Sequence, residues 1–194
     1  MFQVTALSCR NCNAVLSSPV KNRIVVCKKC QTAHEFRMGN VHIITLSYAK
    51  SPGDTKTEQV YLPFWVFDTE ITISGLKIVG GKIKRFLKGE HSFDGKHKMW
   101  ICAGAIPDDQ AEAFGLRYTQ ENPEFEPGKT PGIPEITVAC DHHEAMQIAD
   151  YLFLKNEIER SGTLQSIDYR IDSNGFELVF LPFEKIKDGL KPLI

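Results

Sequence analysis

With 194 residues, 42% hydrophobic and 24% charged, the chain has the make-up of an ordinary globular protein: one good-sized domain, or one domain and a small module. No apolar run approaches the roughly 18–20 residues of a membrane helix, and the start, Met1-Phe2-Gln3-Val4-Thr5-Ala6-Leu7-Ser8, lacks the basic stretch of a signal peptide; the expectation is a cytoplasmic protein with no membrane insertion. The net charge of −1 conceals an asymmetry: residues 1–100 hold 15 Lys/Arg against 7 Asp/Glu, and residues 101–194 hold 8 against 17, so either the two halves neutralise each other or the first half faces an anionic partner.

The first predicted element spans residues 1–38 and contains Cys9-Arg10-Asn11-Cys12 and Cys27-Lys28-Lys29-Cys30, a C-x2-C-x14-C-x2-C pattern. In a reducing compartment such clustered pairs point to a metal rather than to disulfides. Zinc takes four thiolates tetrahedrally, and each tight C-x-x-C turn supplies two of them. The intervening residues, with Ser17-Ser18-Pro19 as a turn and Ile24-Val25-Val26 as a strand, suffice to go out and back as a hairpin. Iron and a redox dithiol are the alternatives; two pairs at this separation favour one structural zinc per chain. The pattern resembles the zinc-ribbon family over about 35 residues. Many ribbons place Gly after each pair, where the backbone is left-handed, whereas Asn13 and Gln31 stand there in this chain. The ribbon followed by Tyr61-Leu62-Pro63-Phe64-Trp65 also looks like a group of bacterial ribbon proteins, a likeness that supplies no function.

Beyond a turn at Gly39-Asn40, strands are predicted at 41–48 and 59–67; because Pro63 has no N–H, the second lies at an edge, carries a bulge, or ends there. Short strands follow at 70–74, 76–79, 82–87 and 98–103, with a tight turn at Gly80-Gly81. A short helix is expected from Pro107-Asp108-Asp109 to near Gly115, and a proline-rich connection over 123–134. The principal helix is predicted over 142–160, with Asp141 as N-cap, Glu144 completing a capping box, Gly162 closing it, and Ala145, Ile148, Ala149 and Leu152 on its apolar face. A final hairpin is expected over 164–183 around Asp172-Ser173-Asn174-Gly175. Its end, Glu177-Leu178-Val179-Phe180-Leu181-Pro182-Phe183, repeats Glu58-Gln59-Val60-Tyr61-Leu62-Pro63-Phe64. The fold expected is therefore α+β: the ribbon, then over 41–194 a mainly antiparallel β domain with one principal helix and two hairpin units each ending in [YF]-L-P-F.

Four thiolates close a zinc coordination sphere, so the metal is expected to hold structure and to catalyse nothing. No G-x-S-x-G, H-E-x-x-H or G-x-G-x-x-G pattern occurs, and Cys140-Asp141-His142-His143 reads more simply as a helix start than as a second site. The leading expectation is a non-enzymatic interaction or scaffold module with a protein partner, docking through Phe64, Trp65 and Phe67. The alternative is nucleic-acid binding through Arg10, Lys21, Arg23, Lys28, Lys29, Lys82, Lys84 and Arg85. An enzyme with an unrecognised site is third.

Overall fold

The computed structural model describes residues 7–17, 22–53, 58–78, 93–128, 133–161 and 164–194. The expected strand at 82–87, the turn at Gly80-Gly81, Gly162, and the side chains of Lys21, Lys82, Lys84 and Arg85 lie outside them. The class is α+β, with mostly antiparallel strands.

Strands β1 (Ile24–Val26), β2 (Ala33–Arg37) and β3 (Asn40–Ile43) form a small antiparallel sheet in that order. The strand expected over 41–48 is thus divided: Ile43 ends β3, and β4 (Leu46–Tyr48) joins the main sheet. The main sheet has the order β4-β7-β5-β6, built from β5 (Gln59–Ile78), β6 (Gly95–Cys102) and β7 (Leu164–Ile186), and β8 (Gly189–Pro192) also pairs with β7. Among the described strands β4 alone runs parallel to its neighbour.

The predicted short strands at 70–74 and 76–79 prove to be parts of the single strand β5 as far as Ile78. The hairpin expected over 164–183 is likewise one strand, β7. Residues 172–175, expected to form the turn, lie opposite Glu70, Thr69 and Asp68 with a bulge between Ser173 and Gly175. A bulge takes up the extra residue and bends the pair without reversing the chain.

The repeated segments are neighbours. Leu62 lies opposite Leu181, Tyr61 opposite Pro182 and Pro63 opposite Phe180, so the two copies are related by a local twofold at the Leu62/Leu181 pair. The backbone bond from Lys185 N–H to Glu58 O sets the phase of this ladder, which puts both prolines at positions that exchange no hydrogen bonds between β5 and β7. Each turns its carbonyl outward instead, Pro63 O accepting from Ala103 and Pro182 O from Leu193. Pro63 therefore stands in a central strand without breaking the ladder.

Both faces of the sheet are covered, by alternate residues of each strand. On one face Tyr61, Trp65, Phe67, Met99 and Ile101 pack with Ala145, Ala149, Leu152 and Phe153 of α2 (His142–Ser161) and with Ile24 and Ala33 of the small sheet. On the other, Val60, Leu62, Phe64, Val66, Trp100 and Phe183 pack with Tyr118, Ala111 and Phe114 of α1 (Asp108–Glu121). Both expected helices are present, but the short one, expected to end near Gly115, runs on to Glu121. α1 continues through Gly115 because that glycine is no cap: a Cβ there would come within 3.0 Å of Leu152 Cδ1 and 3.1 Å of Trp100 O. The cap is Asn122, left-handed at φ 44°.

α2 starts as its sequence dictates. Asp141 Oδ1 accepts the N–H groups of His143 (3.0 Å) and Glu144 (2.9 Å), and Glu144 Oε2 accepts Asp141 N–H at 2.8 Å, a complete capping box. Of its expected apolar face, Ala145, Ala149 and Leu152 are buried and Ile148 is exposed. No helix among the described residues is long and apolar enough to cross a membrane.

Candidate metal centre

Two hairpin-like knuckles bring the four cysteines together, and their backbone bonds match one for one. Cys9 N–H donates to Ala14 O as Cys27 N–H does to Thr32 O; Asn13 N–H returns to Cys9 O as Gln31 N–H does to Cys27 O. Each turn closes through a left-handed residue, Asn13 at φ 57° and Gln31 at φ 60°, the two positions singled out by the sequence. In the first knuckle the N–H groups of Asn11 and Cys12 both point at Cys9 Sγ, 3.4 Å away, and so offset charge on that sulfur.

Cys9 Sγ is 3.5 Å from Cys30 Sγ, Cys12 Sγ is 3.6 Å from Cys27 Sγ, and all four sulfurs lie within 4.8 Å of one another. Four thiolates bound tetrahedrally at about 2.3 Å stand about 3.8 Å apart, so the tetrad is positioned to bind a metal ion with little rearrangement. Cys9 and Cys27 are buried; Cys12 and Cys30 reach the surface. The Thr32 hydroxyl, 3.2 Å from Cys30 Sγ, and the Thr32 N–H lower the Cys30 thiol from its ordinary value to about 5.

The cysteine turns are braced from β2. His34, fully buried, accepts Arg10 N–H on Nε2 at 3.2 Å, tying the strand to the first knuckle. Glu35, also fully buried, reaches the other way to His142. Sequence reading passed over this pair. Its one signal was that Glu35 is the only acidic residue in the first 40.

The remaining expected site residues are dispersed. Phe64, Trp65 and Phe67 are at most 1% exposed, which corrects their assignment as a docking surface: they are core, because each face of β5 has its own covering layer. Arg10, Lys28 and Lys29 are exposed on the cysteine turns, whereas Arg23 is tied to the body, its N–H on Val138 O and its guanidinium 3.4 Å from Glu144. Cys102 and Cys140 are free thiols that line one cavity of about 410 Å³ with Ile106, Ile148 and Leu152. Burial pushes each up to about 12, Gly104 N–H opposing it at Cys102 and neighbouring carboxylates adding to it at Cys140; thiols so protonated are poor nucleophiles and poor ligands. Comparison of the chain with protein-family models, with curated proteins and with solved structures finds no match to any of them.

Proposed function

We propose that the protein is a binding module rather than an enzyme, that its tetrad holds one structural zinc ion per chain, and that the zinc-ribbon lobe is the surface it offers to a protein partner. The carrying observation is the distribution of exposed apolar groups. The three most exposed large apolar side chains among the described residues, Met38 (84%), Val15 (76%) and Ile43 (55%), all belong to the N-terminal lobe formed by the cysteine turns and strands β1 to β3. A lobe this small cannot bury a core alone, and it gains nothing by displaying them unless something covers them. With four protein thiolates the metal has no open position for substrate, so its contribution is to folding.

Nucleic-acid binding is the second reading, favoured by the exposed Arg10, Lys28 and Lys29 of the same lobe. Affinity capture with and without nuclease separates the two. A protein partner retained after nuclease and lost with M38S/I43S supports the first reading. Retention in the double variant, or loss of all bound material on nuclease treatment, refutes it; a salt-sensitive mobility shift with RNA or DNA then favours the second. Elemental analysis of protein purified without chelator should find one zinc per chain.

A further inference from the structure

Strand β2 has two contact faces, because side chains alternate along it. Its even residues face the cysteines. His34 accepts from Arg10 in the first knuckle, and Phe36 packs on the cluster of Cys9, Leu16, Val25, Cys27 and Val41. Its odd residues face the body. Ala33 shares a cluster with Trp65, Ala145 and Phe153, and Glu35 places both carboxylate oxygens on the first residue of α2: Oε1 accepts His142 N–H at 2.7 Å, and Oε2 lies 2.6 Å from His142 Nδ1. The His142 ring in turn stacks on Phe176 (4.2 Å between centroids, 9° between planes) and stands edge-on to Trp65 at 6.0 Å.

We propose that metal loading of the tetrad is coupled through β2 to the docking of the first turns of α2, so that stripping the metal frees Glu35 from His142 and opens the Trp65–His142–Phe176 cluster. Two physical features make the coupling steep. Two of the five buried residues in the ribbon's own cluster are metal ligands, so β2 loses its backing when the cysteines are no longer held together. And a buried carboxylate parted from its hydrogen-bond partners is strongly unfavourable, so β2 either seats Glu35 on His142 or leaves the body. The inference depends on the tetrad holding a metal and is independent of what the ribbon binds.

Linkage makes the effect reciprocal: weakening the Glu35–His142 contact must weaken metal binding. The test is hydrogen exchange, read by mass spectrometry on the full chain with one equivalent of zinc and again after chelation. Peptides covering 142–150 should exchange at least about tenfold faster once the metal is removed, while those covering 60–66 and 178–183 keep their protection. In zinc-loaded Glu35→Ala the 142–150 peptides should already exchange fast, and chelator competition should show metal affinity lowered by roughly tenfold. His142→Ala, which keeps the backbone N–H but removes the ring contact, should show a smaller shift in the same direction, and it serves if Glu35→Ala does not fold. Unchanged protection at 142–150 on chelation overturns the proposal. So does a uniform loss that includes 60–66, or wild-type metal affinity in the variants. A chain that takes up no metal refutes the structural-zinc reading as well, which the initial stoichiometry reveals separately.

Discussion

Gln31 carries the least comfortable backbone in the metal centre. A non-glycine residue at φ 60° costs roughly 1–2 kcal/mol, less for Asn, whose short side chain tolerates the left-handed region. Gln31→Gly should therefore raise the stability of the metal-loaded protein by about 1 kcal/mol in chemical denaturation, and Asn13→Gly by less. A second residue-scale prediction concerns the two thiols outside the tetrad. With both near 12, Cys102 and Cys140 should resist iodoacetamide at pH 8 in the folded protein and react once it is unfolded. The pH dependence follows in sign: a folded pKa above the ordinary 9.0 means that the unfolded chain gives up its proton first. Their contribution to stability is whole below pH 9 and is lost as pH rises toward 12.

At the scale of elements, α2 shows a local rule obeyed and α1 a local rule overruled. The Asp141–Glu144 box closes within four residues, so Asp141→Ala should cost about 0.5–2 kcal/mol, seen as a lower urea midpoint. In α1, glycine looked like a terminator because its backbone freedom usually ends helices. Here the missing Cβ lets the helix approach β6 and Leu152, so Gly115→Leu should destabilise by about 1–3 kcal/mol through overpacking, although leucine is the better helix former in isolation. The long strands follow the same logic. Breaks are expected at Asp68-Thr69, Gly75 and Asp172-Ser173-Asn174-Gly175, but pairing of β5 with β7 along the whole of β5 runs through them and absorbs the irregularity as bulges.

Across the whole molecule, the main sheet is a middle layer, with α1 on one face and α2 together with the small three-stranded sheet on the other. That arrangement makes both tryptophans interior, at 0% and 2% exposure. Their emission should be blue-shifted and insensitive to iodide in the metal-loaded protein, and iodide quenching of the native state would contradict the buried position of Trp65. It also leaves Met38, Val15 and Ile43 of the N-terminal lobe as the most exposed large apolar side chains among the described residues.

What the amino-acid sequence settled unaided was whatever closes over a few residues: two cysteine turns with left-handed positions at Asn13 and Gln31, the capping box of α2, and the two strands bearing the Leu-Pro-Phe repeat. What needed the tertiary structure was every feature that joins distant parts of the chain. Glu35 and His142 meet across 107 residues, and the two repeats lie side by side with 119 residues between equivalent positions. Periodicity can report that a face is apolar, but a strand buried on both sides reads the same as one displaying a sticky surface. Only the layers packed against it decide between them, because burial belongs to the pair of surfaces and not to either one.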